Sequence, residues 1–186
     1  VSFNVNPGEI MGYIGMNGAG KTTTMKMLSG ILKPDSGKIK ILGDNPFKRD
    51  ENLLKKLTFI SGNKSQLWWD LPAYDTFVLN KKIYDIPDTT FNDRLDDITR
   101  VLNSHGLMNK PVRKLSLGEK MKMELTASLL HKPDILFLDE PTIGIDILSK
   151  REIHKFLKKY VDENRAAMVL TSHDIDDIEN LCSKLV

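Results

Sequence analysis

Several residue types and patterns that mark specialised proteins are scarce in this chain. Its only cysteine is Cys182, which excludes an internal disulfide and any site built from several cysteines. The longest apolar runs have four or five residues, whereas a membrane-spanning helix needs roughly 20. The net charge is only +2 and runs of like charge are short, so no basic stripe for nucleic acid stands out. These absences predict an ordinary globular protein without a nucleic-acid partner.

The 186 residues suffice for one domain, and their apolar pattern predicts alternating strands and helices. Val1, Phe3 and Val5 alternate as in a strand, with all three side chains on one face. Further strands are predicted at 9–14, 38–42, 57–60, 135–138 and 166–173, with one more beginning at Leu185 and Val186. Helices are predicted from the phosphate-loop segment to Gly30 and at 75–86, 91–102, 117–130 and 148–164.

This order predicts the α/β class, with a mostly parallel sheet and an inserted α-helical subdomain. The single domain 1–186 would consist of an α/β core, 1–70 and 132–186, and a helical subdomain, 71–131. Because the chain begins and ends inside predicted strands, we expect it to be trimmed at both ends.

A glycine-rich segment follows the strand predicted at 9–14. Gly15, Gly20, Lys21 and Thr22 fit the phosphate-loop pattern G-x-x-x-x-G-K-[ST]. Glycines allow successive backbone N–H groups to face a phosphate, at the start of a helix whose dipole favours an anion. Lys21 can reach the β and γ phosphates, and the Thr22 hydroxyl can coordinate Mg²⁺. A glycine-rich turn without a ligand does not explain a lysine followed by three threonines, so the segment predicts a nucleotide site.

Two carboxylates follow the apolar run ILFL (135–138). Asp139 and Glu140 would lie at the carboxyl end of a strand, where open parallel sheets bind ligands. Asp139 can hold Mg²⁺, and Glu140 can orient and deprotonate an attacking water. Two solvated carboxylates would look the same in isolation, but the phosphate loop elsewhere in the chain favours the functional interpretation.

Ser116 and Gly118 lie at the start of a predicted helix. Ser116 is a good N-cap, and Glu119, three residues later, completes a capping box. The free amides of such a helix start, next to a glycine that permits close approach, also bind anions, so capping and phosphate binding are compatible.

Together these segments give the chain a resemblance to the ATP-binding subunit of an ABC transporter, of the kind found in bacterial exporters. GMNGAGKTT resembles the family's Walker A, LSLGE its signature, ILFLDE its Walker B, GID (144–146) its D-loop and TSH its switch-histidine segment. The motifs occur in family order over nearly the whole chain. LSLGE is the motif that is specific to this family, because many other NTPases share the phosphate loop.

The resemblance implies an ATPase with a P-loop NTPase core that uses ATP and Mg²⁺. ATP would lie between Walker A of one subunit and the signature of a second copy, arranged head to tail. Glu140 would be the catalytic base, and His173 would contact the γ-phosphate. The other nucleotide-site residues would be Gly15, Met16, Asn17, Gly18, Ala19, Gly20, Lys21, Thr22, Thr23, Ser116, Gly118, Glu119 and Asp146, the last of which would help to join the two sites. The metal ligands would be Thr22, Asp139 and Asn63. No catalytic role is expected for His105, His131 or His154, the last on a helix surface.

The sequence departs from the family in three respects. Asn63 stands where the family usually has a glutamine that touches Mg²⁺ and senses the membrane partner, with Gln66 as the alternative. The family's adenine-stacking aromatic residue is expected before Val1, so we expect this chain alone to bind ATP weakly and to hydrolyse little of it. Glu119 replaces the commoner glutamine of the signature, with little loss expected.

The resemblance also implies a transmembrane permease subunit on a separate chain, and hence a location at the cytoplasmic face of the cell membrane. Trp68 and Trp69 lie where the family receives that subunit, so we expect at least one to face it. The alternative places one Trp in the core and the other half exposed.

Other ATPase classes fit less well. Lys21 and Ser116 are 116 − 21 = 95 residues apart, which leaves no room for the long coiled coil of repair ATPases. Translation-type members carry two cassettes, and one is present here. A small-molecule kinase would leave LSLGE unexplained, and a binding module without turnover is disfavoured by Glu140.

Overall fold

The computed structural model describes residues 1–16 and 18–186, which form an α/β fold around one parallel sheet. The strands are β1 (Ile10–Gly12), β2 (Leu57–Ser61), β3 (Ile135–Asp139), β4 (Ala167–Thr171) and β5 (Lys184–Leu185). The α-helices are α1 (Lys21–Leu28), α2 (Glu51–Leu54), α3 (Ala73–Ile83), α4 (Asp88–Val101), α5 (Leu117–Leu129), α6 (Ile147–Asn164) and α7 (Ile175–Leu181). Short 3₁₀ turns cover Pro46–Lys48, His105–Leu107 and Val112–Lys114.

The strands lie in the order β2-β3-β4-β1-β5, and every pairing is parallel. Parallel neighbours require crossover connections, which the helices provide. The carboxyl ends of β1, β2, β3 and β4 therefore meet at one edge of the sheet. The predicted α/β class and parallel sheet are confirmed.

Both faces of the sheet are covered, so β3 reads as a continuous apolar run. Leu136 and Leu138 pack into one core with α3, α4, α5 and α6, whereas Ile135 and Phe137 pack on the opposite face beside Met25 of α1. All five residues of β3 are buried. In the part of the chain described here, no helix has both the length and the apolar character of a bilayer span.

The strand predicted at residues 1–5 does not form. Its alternation is partly reflected in packing, because Phe3 and Val5 are half-buried against the core on the α1 side and the Phe3 ring lies 6.0 Å from that of Tyr13. Val1, however, is 93% exposed. Within the described residues no backbone hydrogen bond joins this segment to a neighbouring strand, so it packs without entering a ladder.

The strand predicted at residues 38–42 is also wrong. The chain reverses immediately after Ile41, where Leu42 and Gly43 have φ angles of 52° and 89°. Ile41 and Asp44 exchange backbone hydrogen bonds of 2.8 and 2.9 Å across this turn. Ile39 and Ile41 still pack against the core on the α1 side, so the pattern predicted their burial but not the backbone.

Gly62, directly after β2, lies against the segment that follows β3. Its N–H donates to the Asp139 carbonyl at 2.9 Å. A Cβ at Gly62 would lie 2.0 Å from the Glu140 carbonyl oxygen. Only glycine allows this approach, which brings the residue after β2 beside the residue after β3.

We predict that Gly62→Ala lowers the free energy of unfolding by about 1–3 kcal/mol, the usual range for overpacking a filled site. Gly106→Ala is the matched control, because a Cβ at that position would have no atom of another described part of the chain within 4 Å. Urea unfolding of both variants makes the comparison, and equal midpoints would contradict the close approach at Gly62.

Candidate functional site

The phosphate loop joins β1 to α1 and leaves the start of that helix free for a ligand. Gly20 is the N-cap, with a φ of 87° that favours glycine, and no side chain among the described residues caps the helix there. The first turn of α1, all of it described, holds no acidic residue. Lys21 is buried, and its ammonium group donates to the carbonyls of Gly15 at 2.7 Å and Met16 at 3.1 Å. Uncapped amides beside an ammonium group form a site for an anion.

The other predicted Walker A residues lie on the same loop and the first turn of α1. Gly15, Met16, Gly18, Ala19, Thr22 and Thr23 are exposed to solvent. Asn17 lies outside the described residues. The surface that the sequence assigned to nucleotide binding is therefore open.

The carboxylate of Asp139 joins the phosphate loop to the sheet. One of its oxygens accepts a 2.8 Å hydrogen bond from the Thr22 hydroxyl, and the other accepts a 2.7 Å bond from the Thr171 hydroxyl at the end of β4. Asp139 is only 4% exposed. A hydroxyl and a carboxylate in contact form the hard oxygen set that Mg²⁺ prefers, so Thr22 and Asp139 fit the predicted metal site. Sequence reasoning missed Thr171, whose only signal was its place at the end of a predicted strand.

Glu140 and His173 form a pair at the same edge of the sheet. Glu140 Oε1 lies 2.7 Å from His173 Nε2. The Glu140 φ of 52° is in the left-handed region, which costs free energy for a residue other than glycine and recurs at functional sites. Its N–H donates to the carbonyl and the hydroxyl of Thr171, at 3.0 and 3.1 Å. Both side chains line a cleft of about 540 Å³. The structure thus brings together the two residues predicted to be catalytic.

The signature segment begins α5 with the predicted capping box. The Ser116 N–H donates to Glu119 at 2.8 Å, and the Glu119 N–H donates to the Ser116 hydroxyl at 3.2 Å. A Cβ at Gly118 would lie 2.5 Å from the Ser149 hydroxyl, so glycine allows α5 to approach the start of α6.

Asp146 caps α6 by accepting the Ser149 N–H at 2.9 Å. Hydrogen bonds from the backbone and then the side chain of Ser149 lower the pKa of this exposed carboxyl group. The signature and D-loop segments therefore lie side by side.

The two candidates for the family's glutamine differ in their surroundings. Asn63 is exposed and follows Gly62 at the sheet edge, and its side chain makes no hydrogen bond to any described residue. Gln66 instead faces α5: its N–H donates to Glu124 at 3.0 Å, and its side-chain amide donates to the Ser128 hydroxyl. The geometry favours Asn63, because the Gln66 amide is already bound.

Glu124 of α5 binds the loop that follows Asn63 through hydrogen bonds. It accepts hydrogen bonds from the Ser65 hydroxyl and from the N–H groups of Gln66 and Leu67. Burial raises the pKa of Glu124, and these hydrogen bonds oppose the shift without cancelling it. Residues 65–67 are therefore attached to the helix that begins at the signature.

The prediction that His154 lies on a helix surface is wrong. His154 is 7% exposed, and its Nε2 lies 2.8 Å from Asp177 Oδ1. Helical spacing did not reveal this position, because its partner is 23 residues away on α7.

Comparison with known proteins places this geometry in a family. Residues 1–143 match the family model described as ABC transporter. The bacitracin transport ATP-binding protein BcrA of Bacillus licheniformis is 34% identical over 97% of this chain and 58% of its own length. The ABC transporter ATP-binding protein NatA of Bacillus subtilis is 27% identical over 100% of this chain and 75% of its own length.

Two solved structures share the fold. One described as the ATP-binding subunit of an ABC transporter is 26% identical, with a TM-score of 0.88 over 100% of this chain and 77% of that chain. The other, cbiO1 from Clostridium perfringens, described as part of the ABC transporter complex cbiONQ, is 28% identical, with a TM-score of 0.83 over 98% of this chain and 74% of that chain. The chain spans 58% of BcrA, so it corresponds to little more than half of that relative. The family match, together with the phosphate loop, the signature helix and the Glu140–His173 pair, shows that this chain belongs to the ABC transporter family.

Proposed function

We propose that this chain binds and hydrolyses ATP as the nucleotide-binding subunit of an ABC transporter and thereby drives transport through a separate transmembrane subunit. The observation that carries the proposal is the convergence of Lys21, the Thr22–Asp139 contact and the Glu140–His173 pair at one sheet edge. The ATP-binding names of the relatives support it.

Each side chain has a role that its surroundings support. The amides at the start of α1 and the Lys21 ammonium group would bind the phosphates of ATP. Thr22, Asp139 and Asn63 would hold Mg²⁺, which when bound neutralises charge on the phosphates. Glu140 would accept a proton from the attacking water. His173 would hold the Glu140 carboxylate in position through its Nε2 and contact the γ-phosphate.

The second half of the site would come from another copy of the chain, arranged head to tail. Ser116 and Gly118 would supply it, because the amides of a capped helix start suit a phosphate. Apolar side chains around the signature and D-loop are exposed, as expected of a surface that another subunit covers. They are Leu117 at 57%, Ile143 at 47%, Ile147 at 69% and Leu148 at 73%.

A transmembrane subunit would dock near the two tryptophans, and the protein would then lie at the cytoplasmic face of a membrane. Trp68 is 47% and Trp69 is 59% exposed, so neither ring is in the core. Leu71, Tyr74, Leu79 and Ile83 extend the exposed apolar set onto α3. The Lys120 ammonium group lies 4.3 Å from the Trp69 ring and so links this surface to α5. The domain division would be an α/β core of 1–70 and 132–186 with a helical subdomain of 71–131.

We expect Glu140→Gln to lower the rate of ATP turnover by about 10²-fold or more while ATP still binds, because the amide cannot accept the proton from water. Steady-state phosphate release and equilibrium ATP binding measure the two effects on the full-length protein. Glu163→Gln is the control, since Glu163 is exposed and pairs only with Lys159 among the described residues. Unchanged turnover in Glu140→Gln would refute the assigned base.

Replacing Asn63 tests the metal assignment. We expect Asn63→Ala to raise the Mg²⁺ concentration for half-maximal ATPase activity by about tenfold, the scale of losing a group that supports a metal site. Asn63→Gln retains the amide and should restore the Mg²⁺ dependence. Gln66→Ala should leave it unchanged, because that amide faces Ser128. A response to Gln66→Ala alone would reverse the assignment.

The docking surface is tested by assembly. We expect Trp68→Ala or Trp69→Ala to reduce co-purification with the transmembrane subunit by about tenfold, the scale for a buried interface aromatic. Ile31→Ala is the control, because this side chain is equally exposed at 55% but follows α1. Full assembly of both tryptophan variants would contradict the proposed docking surface.

A further inference from the structure

One fully buried carboxylate, that of Asp177 on α7, contacts the chain next to both members of the Glu140–His173 pair. Asp177 is 0% exposed. Its Oδ2 accepts hydrogen bonds from the hydroxyls of Thr142 and Ser172. Thr142 is two residues beyond Glu140, and Ser172 directly precedes His173. A single oxygen atom therefore joins the two segments that carry the pair.

The second oxygen of Asp177 is also occupied. Its Oδ1 lies 2.8 Å from His154 Nε2 and 3.9 Å from Lys150 Nζ, both on α6. Burial alone would raise the pKa of Asp177, but hydrogen bonds from His154, Ser172 and Thr142 outweigh that effect and hold the pKa below its ordinary value. The group is thus a buried carboxylate that its neighbours keep charged, and losing one of its donors is costly.

These contacts fix the backbone on both sides of Glu140. Thr171 holds the Glu140 N–H from one side, through its carbonyl and hydroxyl oxygens. Thr142 holds the chain on the other side, through Asp177. A non-glycine residue with φ near 52° persists only where its surroundings determine the backbone. Asp177 supplies the downstream half of that constraint.

The same carboxylate supports the histidine. Ser172, while donating to Asp177, accepts the N–H of Asp174 at 3.0 Å, so the chain on both sides of His173 is hydrogen-bonded. Lys150, which lies near Asp177, also pairs with Asp174. His173 itself remains 40% exposed at its side chain, free to face a ligand from a fixed backbone.

We propose that Asp177 is a positioning residue for ATP hydrolysis, which sets the relative placement of Glu140 and His173 through the hydroxyls of Thr142 and Ser172. This inference rests on the proposed ATPase function. Asp177 need not touch ATP, so its effect falls on turnover and not on nucleotide binding. Catalytic groups displaced by about 1 Å lose on the order of 10²-fold in rate, so a looser pair would be measurable.

The test compares Asp177→Asn with the unmodified full-length protein in steady-state ATPase assays. We expect kcat to fall by about ten- to a hundredfold, while the KM for ATP and the number of ATP molecules bound per chain stay as they were. A purely structural role would instead reduce the binding stoichiometry and the turnover together. Glu179→Gln is the matched control, because Glu179 is exposed on the same helix and the charge change is identical. It should keep full kcat.

Thr142→Val and Ser172→Ala carry the test if Asp177→Asn does not fold, since each leaves the carboxylate its other donors. We expect each to lower kcat by about threefold and the double variant to lose clearly less than the roughly ninefold product of the two, because either loss already breaks the link between the two segments and residues in one hydrogen-bond network are not additive. Where Asp177→Asn does fold, Ser172→Ala should add nothing in that background.

Unchanged kcat in Asp177→Asn, or losses that simply add, would overturn the positioning role while the ATPase proposal stands. Absence of ATPase activity in the unmodified protein would overturn both.

Discussion

The buried carboxylate of Asp139 makes the hydrogen bonds on which the site depends. A charged group at 4% exposure must exchange water for protein donors, and here the hydroxyls of Thr22 and Thr171 occupy its two oxygens. Thr22 belongs to the phosphate-loop helix, and Thr171 ends β4, the strand between β3 and β1. The two hydrogen bonds to Asp139 therefore fix α1 against the sheet. Glu140 follows Asp139 directly and its N–H donates to the same Thr171, so the phosphate loop, the proposed metal ligands and the Glu140–His173 pair share one anchor.

Burying carboxylates at this sheet edge costs stability, and hydrogen bonds from nearby hydroxyl groups reduce that cost. Asp139 and Asp177 both place a carboxylate in the interior at this sheet edge, and each relies on hydroxyl groups of serine or threonine. A hydroxyl can donate to a carboxylate without bringing a charge of its own, and it rotates to suit the acceptor. Two buried carboxylates can therefore lie at the sheet edge that also carries Glu140.

Much of the fold and part of the site follow from local sequence. Runs such as ILFL predict β3 because a strand covered on both faces is apolar throughout, and Ser116 with Glu119 predicts its own capping box. The segments 1–5 and 38–42 have strand patterns without ladders, because pairing depends on a neighbour that alternation cannot supply. His154 and Asp177 escaped prediction for a related reason. Apart from Ser172, which is 5 residues before Asp177, the partners lie 23 to 35 residues away, and only the packing of α6 and α7 on the sheet brings them together.

The short link around Asn63 shows how these anchors combine. Upstream, Gly62 is pressed against the Glu140 carbonyl and bonded to Asp139, so it belongs to the sheet edge. Downstream, residues 65–67 are bonded to Glu124 and Ser128 of α5, the helix that begins at the signature. Lys64 donates its N–H to the Ser61 carbonyl at 3.3 Å, so the chain turns back at the end of β2 and Asn63 lies in this turn. Ser65, which is bonded to Glu124, follows directly, and consecutive Cα atoms are only about 3.8 Å apart, so displacement of α5 relative to the sheet would strain the turn or break one of its attachments. The side chain proposed to complete the metal site thus belongs to the segment that links the sheet edge to the signature helix.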